Sequence, residues 1–115
     1  MFDLYEPISY MDASKEQRYM VCNGCGAANA KFDFVPDTIY GLCITPACNI
    51  HDWMYYAADP DIIFKREADR VFFNNMLRII EDKGGFLKTA RRRRALKYYL
   101  AVKYFGGPAF WEGKN

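Results

Sequence analysis

The 115-residue sequence predicts a mainly α, single-domain protein spanning 1–115. The expected architecture is two antiparallel core helices, an N-terminal loop region and a third, C-terminal helix. Three observations predict it. Apolar residues recur at helical spacing through the second half of the chain. Turn formers punctuate that half at Asp59-Pro60-Asp61, Gly84-Gly85 and Gly106-Gly107-Pro108, leaving helix-length intervals between them. No stretch shows the sustained apolar–polar alternation of a half-buried strand.

Up to about Thr45 the chain is rich in turn formers and poor in periodicity, so it reads as loops with at most short helices. Asn23-Gly24-Cys25-Gly26 is a tight turn that exposes backbone. Phe32-Asp33-Phe34-Val35-Pro36-Asp37 is extended or turning and ends at its proline. A first helix is expected from about Pro46 to Ala58, with Thr45 as its cap and Pro46 in the first helical position. The second, roughly Asp61 to Lys83, carries Phe72, Phe73, Met76, Leu77 and Ile80 at helical spacing, and Gly84-Gly85 ends it. The third, about Leu87 to Phe105, carries Leu96, Tyr99, Leu100 and Val102 before Gly106-Gly107-Pro108 closes it.

Half of the residues are apolar (51%) and many are aromatic (17%), which excludes a disordered chain. A net charge of +2 is too small to argue for a nucleic-acid partner. No segment approaches the roughly 20 apolar residues that span a bilayer. Met1-Phe2-Asp3-Leu4-Tyr5-Glu6-Pro7 lacks the basic start and apolar run of a signal peptide. The expectation is therefore a chain that is cytosolic, exported by another route, released by lysis, or given in mature form. Four cysteines in so short a chain admit two disulfides or one zinc site.

The chemistry concentrates around the only histidine, in Cys48-Asn49-Ile50-His51-Asp52-Trp53-Met54-Tyr55. Residues three or four apart on a helix share a face, so Cys48, His51 and Tyr55 form one stripe. Asp52 diverges from His51 by about 100° and serves a different neighbour: a base facing a cleft, an anion facing a bound cation. Asp69 lies on the apolar stripe of the second helix, where an unpaired charge costs several kcal/mol or more. The short connection at Asp59-Pro60 makes the two helices antiparallel neighbours and brings Asp69 opposite His51. Asp69 can then hold one imidazole nitrogen while the other takes a proton from water, a His-Asp dyad. The bland alternatives are a satisfied core histidine and an Asp69 paired with Arg66 or Arg70.

This CxxHDxxY segment, followed by Ala68-Asp69-Arg70-Val71-Phe72 on a second helix, resembles the phospholipase A2 superfamily, in particular its small prokaryotic and phage-like members. Asn23-Gly24-Cys25-Gly26 is similar to that family's calcium loop, and Phe32-Asp33-Phe34 to its small bacterial and fungal members. About half the chain is covered. The resemblance implies that His51 is the general base, Asp69 the carboxylate that orients it, and Tyr55 the hydroxyl that supports Asp69. It implies Ca2+ held by Asp52 and the backbone carbonyls of Gly24, Gly26 and Ala28, with a Cys25–Cys48 bridge tying loop to helix. The activity implied is calcium-dependent hydrolysis of the sn-2 ester of a phospholipid at a membrane surface, with no acyl-enzyme.

The chain departs from the family at Ala27-Ala28, where the loop usually continues with glycine. It departs again in the length from Cys25 to Cys48, which brings in Asn29, Asp33 and Asp37 as alternative ligands. Two other functions share these residues. One is a catalytically inactive interaction module on the same scaffold. The other is a zinc-stabilised nucleic-acid binder using Cys22, Cys25, Cys43 and Cys48; a Cys22–Cys43 disulfide competes for the same thiols. The basic run Arg91 to Arg94 cannot lie on one helix face. It is either solvated surface or an attraction for anionic headgroups, for which each basic residue is worth about 1 kcal/mol. Trp53, Trp111, Phe2 and Tyr5 are either interfacial or supporting contacts.

Overall fold

The computed structural model describes residues 4–22, 36–112 and 114. The described chain is mainly helical, and α4 (Ile62–Lys83) is the axis on which the rest is arranged. α3 (Thr45–Ala57) packs along one side of α4 and α5 (Lys88–Phe105) along another. α1 (Ile8–Asp12) and α2 (Lys15–Val21) lie toward the α3 side, and α6 (Gly107–Trp111) folds back between α3 and α5. A two-stranded antiparallel hairpin, β1 (Thr38–Ile39) with β2 (Leu42–Cys43), leads into α3.

α4 forms where the spacing places it. Asp61 caps it by accepting from the Ile63 amide at 3.0 Å, which satisfies one of the donors a helix start leaves open. Gly84 and Gly85 take φ of 64° and 88°, the left-handed region in which glycine is unstrained, and so stop the helix. The stripe Ala68, Phe72, Met76, Ile79 and Ile80 is buried against Cys48 and Tyr55 of α3 and Ala95 and Val102 of α5. Each fully buried large apolar side chain stabilises by about 1.5–3 kcal/mol.

The contacts across the α3–α4 seam run in opposite senses: Tyr55 meets Lys65 and Asp69, while His51, one turn earlier, meets Asp69 and Phe72. The two helices are therefore antiparallel, as the four residues between them require. Tyr10, Ile50, Trp53 and Val71 form a second core cluster that anchors the N-terminal segment. That segment is also clamped to α4, where the Asn75 amide donates to and accepts from the Tyr5 backbone.

Three local expectations are corrected. Thr45 is the first helical residue of α3 rather than its cap; Ile44 occupies that position without a side-chain bond, and Pro46 follows within the first turn. Gly106-Gly107-Pro108 does not simply close α5, because Pro108 sits in the first turn of α6, a place where its missing N–H costs nothing. The hairpin was not foreseen. Its turn needs positive φ at Tyr40 (45°) and Gly41 (80°), and Tyr40 is an uncommon residue for that conformation.

The basic run explains how Tyr40 is held. Arg91 is buried and donates to the carbonyls of Ile39 (3.2 Å) and Tyr40 (2.7 Å), while Arg94 donates to the Tyr40 hydroxyl (3.0 Å). Arg92 and Lys88 both pair with Glu81. The run is thus partly a clip on the hairpin, neither wholly solvated nor wholly available to a surface. Among the described residues, no helix is long and apolar enough to cross a membrane.

Candidate functional site

α3 and α4 bring three of the expected site residues together in the core. His51, Asp69 and Tyr55 are all at most 3% exposed. His51 Nε2 lies 2.7 Å from Asp69 Oδ1, and the Tyr55 hydroxyl donates to the same oxygen at 2.5 Å. Phe72 stacks on the imidazole with centroids 4.6 Å apart, and Tyr55 flanks it at 4.2 Å. These rings fix the plane of His51. An ionised carboxylate only accepts, so Nε2 carries the proton and Nδ1 is the basic nitrogen of the neutral ring.

The cation that faces Asp69 is neither Arg66 nor Arg70. Arg70 pairs with Glu67 at the surface. Lys65, one turn before Asp69, is buried and donates to Asp69 Oδ2 at 2.7 Å. It also donates to the carbonyls of Val102 (3.0 Å) and Lys103 (3.2 Å) in the last turn of α5. The sequence signal for this residue, a Lys–Asp pair at i,i+4, is indistinguishable from an ordinary surface pair.

Burial opposes ionisation of Asp69, yet the hydrogen bonds from His51, Lys65 and Tyr55 outweigh it and hold the carboxyl below its ordinary range. Burial pushes His51 below its usual value against the pull of Asp69, and Lys65 adds to the depression. Desolvation and the neighbouring Asp69 charge raise Tyr55 well above a free phenol, so its hydroxyl stays a donor. The arrangement is a neutral imidazole oriented by an anion, the state a general base needs.

Asp52 is half-buried and offset from His51 around the helix, near enough for its charge to add to the rise of Tyr55. Its charge, after burial, helps to push the Cys22 thiol up to about 12. Cys22 donates to the Asn49 carbonyl at 3.1 Å. Among the described residues, Asn49 Oδ1, one turn before Asp52, is buried with no hydrogen-bond partner, as is Asp37 Oδ1. Of the expected ligand set only Asp52 and the alternative Asp37 lie among the described residues, and their carboxylate oxygens are the hard donors that calcium takes. Gly24, Gly26 and Ala28, together with Asn29 and Asp33, lie outside the described residues.

Cys48 is disulfide-bonded, whereas Cys22 and Cys43 are free thiols. The competing Cys22–Cys43 bridge is therefore not formed, and Cys25 of the expected Cys25–Cys48 pairing lies outside the described residues. A disulfide sulfur is no thiolate, so Cys48 is not available to a four-cysteine zinc site. Among the described residues, no three His, Cys, Asp or Glu side chains converge as a metal cluster.

A groove of about 160 Å³, lined by Pro7, Trp53, Met54, Ala58, Phe64 and Glu67 among others, opens on the other flank of α3. Trp53 is buried there, its indole N–H donating to Ser9 at 3.0 Å, while Tyr5 is about half exposed and Trp111 packs against the core. Phe2 lies outside the described residues. Comparison with protein-family models, curated proteins and solved structures finds no match to this chain.

Proposed function

We propose that this chain is a calcium-dependent phospholipid hydrolase of the phospholipase A2 type, cleaving the sn-2 acyl ester at a membrane surface. One observation carries the reading: the lone histidine is hydrogen-bonded at 2.7 Å, through Nε2, to a buried carboxylate on the neighbouring antiparallel helix. A tyrosine from the histidine's own stripe bonds the same oxygen.

In this reading His51 Nδ1 takes a proton from water as the oxygen attacks the ester carbonyl carbon. The imidazolium that forms is stabilised by Asp69, which keeps its charge because Lys65 and Tyr55 also bond to it. The same proton then passes to the departing glycerol oxygen, so His51 ends neutral. Tyr55 and Phe72 hold the ring in register throughout. Asp52, with the carbonyls of Gly24, Gly26 and Ala28, would hold calcium, whose Lewis acidity supports the substrate phosphate and the developing oxyanion.

Vesicles of a phosphatidylcholine with different sn-1 and sn-2 chains test the reading. Wild type should release only the sn-2 fatty acid, only with calcium, and His51→Gln should release none above background. The deep burial of His51 favours a second reading, a non-catalytic interaction module on the same scaffold. Equal silence of wild type and His51→Gln across several lipids selects that second reading and rejects the first.

A further inference from the structure

We infer that Lys65 is a positioning residue for the His51–Asp69 pair, locking the Asp69 carboxylate to the end of α5 so that only Oδ1 faces the imidazole. The inference rests on the hydrolase reading above for its catalytic consequence, though its geometric part stands apart from it.

An ammonium has three N–H donors, and Lys65 Nζ has three acceptors: Asp69 Oδ2 at 2.7 Å, the Val102 carbonyl at 3.0 Å and the Lys103 carbonyl at 3.2 Å. Every donor is used, two of them on backbone that cannot rotate away. A side chain fastened in this way is a fixed point rather than a flexible counter-ion. Asp69 is free to turn about its Cβ–Cγ bond unless each oxygen is assigned, and Lys65 assigns Oδ2. Oδ1 is then left to accept from both His51 Nε2 and the Tyr55 hydroxyl.

The consequence is a defined tautomer and a defined ring direction for His51. Charge balance alone would not require the α5 carbonyls; a surface lysine turned inward would serve. Their recruitment makes the last turn of α5 a part of the site, although neither Val102 nor Lys103 contributes a side chain to it.

The test uses the single histidine of the chain, so that 15N-histidine labelling reports one ring and no other. Wild type should show the two separate ring-nitrogen shifts of a fixed Nε2–H tautomer. Lys65→Met should bring those shifts toward an average and lower kcat on mixed-chain phosphatidylcholine vesicles on the order of 100-fold, with KM little changed. In Lys65→Ala, added propylammonium should restore the fixed tautomer and part of kcat, while tetramethylammonium at equal ionic strength should not.

A Lys65→Met protein that is folded by circular dichroism and keeps the wild-type spectrum and kcat overturns the inference. So does Lys65→Ala that fails to regain the fixed tautomer in propylammonium. If Lys65→Met does not fold, the Lys65→Ala measurement in propylammonium decides alone. A wild type silent on lipid, with Lys65→Met still averaging the tautomer, rejects the hydrolase reading and supports the positioning role.

Discussion

Asp69→Asn removes one charge from a site that keeps its shape, and the structure sets what that should cost. The carboxylate accepts from His51 at 2.7 Å, Tyr55 at 2.5 Å and Lys65 at 2.7 Å, and all four residues are at most 4% exposed. After substitution the Lys65 ammonium faces two neutral carbonyls and an amide, with water excluded. Breaking a buried ion pair by removing one partner costs about 3–5 kcal/mol, because the remaining charge stays desolvated. For a domain of this size each kcal/mol lowers the melting temperature by about 4 °C, so the expected shift is roughly 12–20 °C. Thermal melts followed by circular dichroism, with urea unfolding as a second probe, measure it. Adding Lys65→Met removes the stranded charge, so the double variant should lose less than the sum of the singles, by about 0.5–3 kcal/mol. A loss under about 1 kcal/mol for Asp69→Asn, or simple additivity in the double variant, would refute the reasoning.

Two further expectations follow from the ionisation states. The folded His51 binds protons less readily than the unfolded one, so its contribution to stability is complete above the ordinary imidazole value near 6.5 and is lost as pH falls below it. Asp69 adds a loss at lower pH, from its ordinary value near 3.8 down to its depressed folded value. Urea midpoints measured from pH 8 to 3 should decline in these two windows, and His51→Gln should remove the upper one and narrow the lower, since His51 is one of the groups that hold Asp69 down. Cys22, pushed up to about 12 by burial and Asp52, stays a thiol near neutral pH, whereas Cys43 is exposed. Iodoacetamide at pH 8 should therefore label Cys43 well before Cys22, as mass spectrometry of peptides reads directly; faster labelling of Cys22 contradicts its placement.

The parts of the fold that the sequence made legible are those written in local pattern. α4 is one: its apolar spacing, its Asp61 cap and its Gly84 stop are each readable within a few residues. The meeting of His51 and Asp69 was legible one level higher, since a four-residue connection leaves two helices little choice but to lie side by side. Lys65 was not legible, because what distinguishes it from a surface lysine is a pair of carbonyls 37 and 38 residues away. The hairpin escaped for a related reason. Strands of two residues are too short for any period to register, and a turn through Tyr40 carries no Asn-Gly signal; arginines of α5 supply what the turn sequence lacks. Pro108 was misread as a stop because proline punctuates helix starts and helix ends alike.

The seat of Lys65 also makes the packing of α5 a condition for satisfying the buried pair. A nascent helical hairpin ending near Lys83 already contains His51, Tyr55, Lys65 and Asp69, but the carbonyls that complete the ammonium's shell have yet to arrive. Without α5 two of the ammonium's three acceptors are missing, and burying a charge with unmet donors costs several kcal/mol or more. The buried lysine–aspartate pair is thereby complete only with the last long helix in place.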